Sequence, residues 1–518
     1  MTGERIHKSL WTTTAAARRF PALTGELAVD VVVVGGGVAG LTTAWLLRRA
    51  GKKVAVLEMN RLLTGQTGQT TAHLTELLDT PYHQLRSDFG EKGARLAAAS
   101  SRASLELIAA LVEQLGVDCG FQRVPMFRYA ETDSQLRELE KEVAAAREVG
   151  LQASLAREVP LPFPVKGALR LENQALIHPR TYLLAMAERL EQEGCLLFED
   201  TRAVEVHDGT PCRVVTERGT VFAMDVVEAT TTPLNRLFLH TKVYPYRTYA
   251  VAGPLEAPVE AGLYYDSQDP YHYIRPQRID GVDYLIVGGE DHKVGVEEDT
   301  DKHFAALEAY TKRFFPVTRL THRWSGQVIE PADGLAYIGR NSASRHTYVA
   351  TGFSGTGMTW GTLSGMILSD LILGLQNPYA ALYDATRVKV KAGAKDFLQE
   401  NAEVAFHFVA DRLSRPDGHT LSEVAPGEGK ILEVAGRKVA VYREEGGACH
   451  AVSPVCTHLG CHVHWNSAER SWDCPCHGAR YSPTGKVLNG PAVKDLASRR
   501  LPPEASTDSP NTTNGDNR

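Results

Sequence analysis

Across its 518 residues the chain has no unbroken apolar segment of membrane-spanning length. A transmembrane helix needs roughly 18 or more consecutive apolar residues. The best stretch, 29–47, is interrupted by Asp30 and by glycines and is followed by Arg48 and Arg49, so no integral membrane segment is expected. Positive charge is not in excess either. Lys and Arg number 56 against 62 Asp and Glu, the net charge is −6 and the isoelectric point lies near 6.3, which gives no reason to propose a nucleic-acid partner. Cysteine is sparse: of eight, four crowd into two short loops near the C-terminus, while Cys119, Cys195, Cys212 and Cys449 are scattered. Such usage suits a reducing compartment, and a cytoplasmic location is expected. AARRFPAL at 16–23 has the paired arginines of an export signal, but no apolar region follows them, so export is not expected. A hydrophobic content of 43% is ample for two or three globular domains.

The two cysteine-bearing loops read CTHLGC, 456–461, and CPCHG, 474–478. Cys456 and His458 from the first, with Cys474 and His477 from the second, make a four-ligand set. Two thiolates and two imidazoles suit tetrahedral zinc. They also suit a [2Fe–2S] cluster in which two histidines replace two cysteines on one iron, lifting the potential to roughly −150 to +300 mV. The surroundings favour the cluster. The run C-T-H-L-G-C…W-D-C-P-C-H-G-A-R-Y…G…GPA…L, over roughly 420–500, strongly resembles the Rieske family. That resemblance implies a disulfide between Cys461 and Cys476, one from each loop, as in the Rieske proteins of cytochrome bc complexes. It also singles out Ala479, where those proteins commonly carry a serine, and Tyr481, which is kept.

Near the other end, VDVVVVGGGVAGLTTAWLLRRAG, 29–51, reads as a buried strand, a glycine turn and a helix. Gly35, Gly37 and Gly40 form G-x-G-x-x-G, Val38 and Ala39 open the helix, and Glu58 closes the next strand. The glycines let a pyrophosphate approach the helix N-terminus, and the acid accepts hydrogen bonds from a ribose. A second glycine turn lies far downstream in TYVATGFSGTGMTWG, 347–361, preceded by WSGQVIEPADGLAYIG, 324–339. Together these resemble the C-terminal signature of the D-amino acid oxidase family of flavoproteins, which includes sarcosine and glycine oxidases. The resemblance implies FAD, with Gly339, Gly352, Gly355, Gly357 and Met358 at the flavin end. It further implies Thr70, Thr71 and Ala72 along the pyrophosphate, and Val204 and Thr230 on strands that return under the cofactor. Thr231 stands where the family usually has glycine. His73 lies where some relatives attach FAD covalently; a hydrogen bond to phosphate or a helix end is the plainer role.

The expected fold class is α/β (α+β): a Rossmann-like FAD-binding domain, an antiparallel-sheet substrate domain and a C-terminal all-β Rieske domain. The expected divisions are an arm at 1–25, an FAD-dependent oxidoreductase at 26–390, a helical connector at 391–418, the Rieske domain at 419–502 and a disordered tail at 503–518. Within the oxidoreductase, FAD-binding parts fall at about 26–80, 171–243 and 324–390, and substrate-domain parts at about 81–170 and 244–323. Helical periodicity marks 91–115 and 133–149, with Asp133 as the N-cap of the second.

Flavoproteins of this family hold a substrate carboxylate with a cation between aromatic walls. Arg275, with Tyr246, Tyr271 and Tyr273, is the candidate cluster; packing within the sheet is the plainer reading of these residues. His292 and Lys293 fall in what reads as a solvated loop. Flavin takes two electrons and can release them singly, and a cluster carries one. The fusion therefore implies a dehydrogenase acting on a small amine or amino acid, passing electrons to an external one-electron acceptor such as a quinone, a cytochrome or another redox protein. A non-catalytic redox sensor or assembly factor is the alternative. A Rieske oxygenase would need a mononuclear iron triad, and none is evident. A second nucleotide turn for NAD(P)H is also missing, because Trp360 occupies the place of its third glycine.

Overall fold

Valine-rich Gly25–Val34 runs from solvent into the interior, where Val31, Val32, Val33 and Val34 are all buried. A strand apolar on both faces belongs in the middle of a helix-covered parallel sheet. In the computed structural model, which describes residues 8–234, 239–297, 299–388, 401–402, 406 and 414–501, that is its place. The strand lies between Gly219–Glu228 and Val54–Leu57, both parallel to it, and Thr347–Thr351 and Leu196–Phe198 extend the parallel set on either side. The helix Val38–Arg49 that leaves the first strand packs on the helix Gly357–Ile372 that leaves the last glycine turn. Their backbones approach closely because the contact uses glycine. A Cβ at Gly361 would meet Val38 Cγ1 at 2.5 Å, and one at Gly365 would meet Thr42 Cγ2 at 2.5 Å.

A nine-stranded mixed sheet stands over this layer. Its order runs from His322–Pro331 through Val243–Pro254, Val282–Lys293, His272–Ile279, Leu263–Tyr265, Gln122–Ala130 and Gly167–Leu176 to His73–Leu74, and the ninth strand, Ala153–Ala156, pairs with Gly167–Leu176 off this path. All pairs along it are antiparallel except Leu263–Tyr265 with Gln122–Ala130. His322–Pro331, expected on the FAD-binding side, is an edge strand of this sheet, since its partner is Val243–Pro254. The helix expected over 91–115 is Tyr82–Leu115, broken at Gly90, whose φ of 73° no helix accommodates. The next helix, Asp133–Glu148, is capped by Thr132 rather than Asp133: Thr132 accepts from the Gln135 amide and Gln135 returns the bond, a capping box that places the acid inside the first turn.

Two small antiparallel sheets form the C-terminal region: Gly429–Val434, Arg437–Arg443 and Cys449–Val452 in one, His464–Asn466, Ser471–Asp473, Arg480–Tyr481 and Val487–Asn489 in the other. Of the arm, Leu10–Thr14 is helical, and Trp11 is fully buried with its Nε1 donating to the Thr70 carbonyl at 2.6 Å. Most of the connector expected at 391–418 and all of the tail expected at 503–518 lie outside the described residues. No described helix is long and apolar enough to cross a membrane.

Candidate functional site

A long cleft opens where the parallel sheet meets the mixed sheet. At its first end the walls are backbone. Gly35 has φ +112°, and a Cβ there would sit 2.3 Å from the Ala229 carbonyl oxygen. A Cβ on Gly40 would come within 1.9 Å of the Gly35 oxygen, so strand and helix join this tightly only without side chains. Val38 and Ala39 line the cleft, and the Val38 amide donates to Thr67 Oγ1 at 3.1 Å. Glu58 also lines it, accepting at 2.9 Å from the Gly36 and Asn60 amides, and burial raises its pKa. An open glycine cradle at a helix N-terminus beside a carboxylate fits a dinucleotide.

Gly37, Thr70, Thr71, Thr230, Gly355, Gly357 and Met358 line the same cleft. Gly40, Ala72, Val204, Gly339 and Gly352 do not, although the chain neighbours Ala203 and Phe353 do. Thr231 adopts the left-handed conformation that glycine would supply, with φ 67°, and the Thr351 hydroxyl bonds its carbonyl at 2.6 Å. A side chain there costs roughly 1–2 kcal/mol.

At the far end the lining turns to side chains. Tyr265, Tyr271 and Tyr273 form a wall, and the Tyr273 hydroxyl pairs with Thr248 Oγ1 at 2.6 Å. His73 is 8% exposed; its Nδ1 meets Thr71 Oγ1 at 3.1 Å, while its Nε2 has no hydrogen-bond partner. Burial, then the charge of Arg275, lowers its pKa to about 3, so the ring is neutral. Arg275 itself is not in the cleft. Fully buried, it donates to the carbonyls of Thr71 at 3.2 Å, Ala72 at 2.7 Å and Ile177 at 3.2 Å, and to the Gln277 side chain. It thus fixes the turn at Ala72, whose φ is 57°. Tyr246 likewise does not line the cleft.

Two cations line it: Arg202, which is paired with Glu217 and Asp495, and Arg128, whose side chain makes no hydrogen bond or ion pair among the described residues. Carboxylates line it as well. Asp79 accepts from the Gly355 amide at 2.6 Å and from the Ser354 hydroxyl, which also reaches Glu330 at 2.8 Å. Burial pushes Asp291 up to about 7, with help from Asp79, and burial and Asp79 push Glu330 up as well. Asp266 is answered by His272 at 2.6 Å. Sequence reading missed Arg128, Asp79 and Asp291. Arg128 had a signal, a lone charge in the strand segment PMFRYA. For Asp291 the signal was alternation: His292, one residue on, turns the other way to meet the Tyr249 hydroxyl at 2.9 Å and the His303 ring at 4.5 Å.

The two C-terminal loops converge. Cys456, His458, Cys474 and His477 are all buried, and the Cys474 thiol lies within hydrogen-bonding reach of Cys456. The imidazole rings of His458 and His477 stand 5.0 Å apart, and His477 Nδ1 is buried with no hydrogen-bond partner. A pair of neighbouring sulfurs and a pair of neighbouring imidazoles are the donor types of a cluster whose histidines share one iron. Cys461 and Cys476 are joined by a disulfide, with Cα atoms 6.6 Å apart. The Tyr481 hydroxyl lies 3.1 Å from Cys456 Sγ and accepts from the Thr457 amide at 3.1 Å. Ala479 is fully buried and brings no hydroxyl.

The cleft and the loops share a wall. Leu488, Asn489, Gly490, Ala492 and Val493 from the C-terminal region line the cleft. Gln327 lines it from the other side, and its Nε2 donates to the carbonyl of Gly478, next to His477, at 3.0 Å. A buried charge network crosses the same boundary: Arg247 meets Glu469 at 2.6 Å, and Arg480 meets Glu469 at 3.2 Å and Asp473 at 2.9 Å.

A dinucleotide cleft roofed by a mixed sheet, abutting a pair of Cys/His loops, defines a flavoprotein oxidoreductase with an iron–sulfur module. Residues 30–371 match the family described as FAD dependent oxidoreductase, DAO, and residues 419–500 match the Rieske [2Fe-2S] domain. The chain belongs to the DAO family of FAD-dependent oxidoreductases and carries a Rieske domain at its C-terminal end; its cofactors are FAD and a [2Fe–2S] cluster. YhfW of Bacillus subtilis (strain 168), named for a Rieske 2Fe-2S iron–sulfur protein, is 31% identical over 94% of this chain and 97% of its own. Gamma-glutamylputrescine oxidoreductase of Escherichia coli (strain K12) is 24% identical over 68% of this chain and 86% of its own. Glycine oxidase from Geobacillus kaustophilus shares the fold, with a TM-score of 0.60 at 20% identity over 70% of this chain and 99% of that one.

Proposed function

We propose that the protein oxidises a small amine or amino acid and passes the electrons singly through its cluster to an external acceptor, a quinone, a cytochrome or another redox protein. The observation that carries this reading is the shared wall. Gln327 lines the FAD cleft and also bonds the backbone beside His477, so the two cofactor sites are built against each other. Bound FAD supplies a two-electron acceptor for the C–H bond beside a substrate nitrogen, and the cluster supplies a one-electron carrier. The chain's residues do the rest. The glycine turn at Gly35 and Gly37 and the Ala39 amide would hold the diphosphate, and Glu58 a ribose. Tyr265, Tyr271 and Tyr273 wall the substrate, with Arg128 placed for a carboxylate and Asp79 and Asp291 for an ammonium. Asp291, pushed by burial to about 7, can take the ammonium proton that must leave before the C–H bond is oxidised. Arg275 positions the Thr71–His73 turn rather than the substrate. The named substrate of the Escherichia coli relative, itself an amine, supports this class. Buried thiols at Cys119, Cys195 and Cys212 suit a cytoplasmic setting.

The test is anaerobic bleaching of the flavin by a panel of amino acids, N-methyl amino acids, polyamines and NAD(P)H. An amine or amino acid should bleach it. Bleaching by NAD(P)H alone would overturn the donor assignment, and turnover with any amine would exclude a non-catalytic sensor.

A further inference from the structure

The ligand histidines do not face solvent. His458 is 5% exposed and His477 9%, whereas Val455 and Leu459, in or beside the same first loop, are 40% and 43% exposed. What covers the histidines belongs to the flavoprotein. His240, on the short 3-10 turn Leu239–Thr241, is 5% exposed, and its ring lies 4.8 Å from that of His458 and 5.4 Å from that of His477. The second loop is fastened from the same side. Gly478 has φ +72°, and a Cβ there would strike Gln327 Nε2 at 2.2 Å and Pro245 Cβ at 2.5 Å. A Cβ on Gly295 would meet the Pro475 nitrogen at 2.8 Å. The second loop thus touches the flavoprotein at two further points, by its backbone against the Gln327 and Pro245 side chains at Gly478 and backbone to backbone at Pro475.

We propose that His240 is a positioning residue that closes the histidine edge of the cluster, with Gln327 fastening the second loop. The edge is then an internal contact of the chain, and an outside acceptor reaches the protein at another face. The seat rests on the cluster assignment; only its consequence for the acceptor rests on the function proposed above.

The test uses the oxidised holoprotein and diethyl pyrocarbonate, with labelled histidines mapped by mass spectrometry and the reduced cluster followed by EPR. His207, whose side chain is 46% exposed, is the internal reference. In the wild type His458 and His477 should label severalfold more slowly than His207. His240→Ala should bring their labelling up towards that of His207 and shift the EPR g-values, and His240→Phe, which keeps a ring in place, should restore slow labelling. Ligand histidines that label as fast as His207 in the wild type would overturn the proposal, as would a His240→Ala protein unchanged in both readouts. If His240→Ala cannot hold its cluster, Gln327→Leu decides: it should speed labelling of His477 more than of His458, and equal rates would count against the seat. None of these readouts needs substrate, so failure of the amine reading would show separately, as an unbleached flavin.

Discussion

The four residues proposed to hold the cluster lie within 456–477, whereas the cleft is lined from residues as far apart as Val34 and Val493. Within the cleft the contrast repeats: one end is made of glycine backbone, the other of charged and aromatic side chains carried in on separate strands. Chemistry held by short loops depends on local spacing. Chemistry held by a sheet depends on register and on pairings distant in the chain, so a substitution at one end should be felt differently from one at the other.

Removing one cofactor at a time should have the largest effect. His477→Ala should abolish bound iron and acid-labile sulfide while FAD content persists, and Gly40→Val should do the reverse, since a Cβ added there would lie 1.9 Å from the Gly35 carbonyl oxygen. Metal, sulfide and flavin analysis of each purified variant checks this, and joint loss would mean the regions do not fold separately. Next in size is the boundary. Glu469→Gln strips the partner from Arg247, which is 2% exposed, and should cost about 3–5 kcal/mol. Arg202→Gln, at the more open pair with Asp495, should cost about 1 kcal/mol or less. Urea unfolding followed by flavin fluorescence and cluster absorbance separates the two.

At the substrate end, Asp291→Asn removes a charged hydrogen-bond partner worth about 1.5–3 kcal/mol, so KM for an amine should rise about tenfold or more. The pH dependence has a definite sign. Below about 7 the wild-type carboxyl is protonated and neutral, so KM should fall as pH rises through that value, and the Asn variant should lose this step. Steady-state kinetics at several pH values decides it. The smallest effect belongs to the cluster loops. Tyr481→Phe removes the hydroxyl 3.1 Å from Cys456 Sγ and should lower the potential, and Ala479→Ser should raise it. A hydrogen bond of about 1.5–3 kcal/mol corresponds to tens of millivolts up to about a hundred. Redox titration by EPR measures both; an Ala479→Ser protein of unchanged potential would show that a serine hydroxyl there does not reach a sulfide.

Legibility followed the same division. The disulfide partners and the first glycine turn could be read, and the Cys/His pairs proposed, because each sits in a few adjacent residues whose types are dictated by ligation or by φ. The parallel and mixed sheets could be anticipated from valine runs and alternating aromatics, but not the pairing of His322–Pro331 with Val243–Pro254. Arg275 misled because a lone arginine among tyrosines looks like an anion site. Nothing local reveals that three carbonyls from Thr71, Ala72 and Ile177 already occupy it. Arg128 and Asp79 escaped for the converse reason: only the assembled sheet brings them to one cleft.

The most direct test of the shared wall is anaerobic mixing of the holoprotein with an amine that bleaches its flavin, with samples frozen over time for EPR and no mediator added. The Rieske-type signal of the reduced cluster should grow as the flavin absorbance falls. A flavin that bleaches fully while the cluster stays oxidised, in protein whose cluster dithionite does reduce, would contradict the coupling of the two sites.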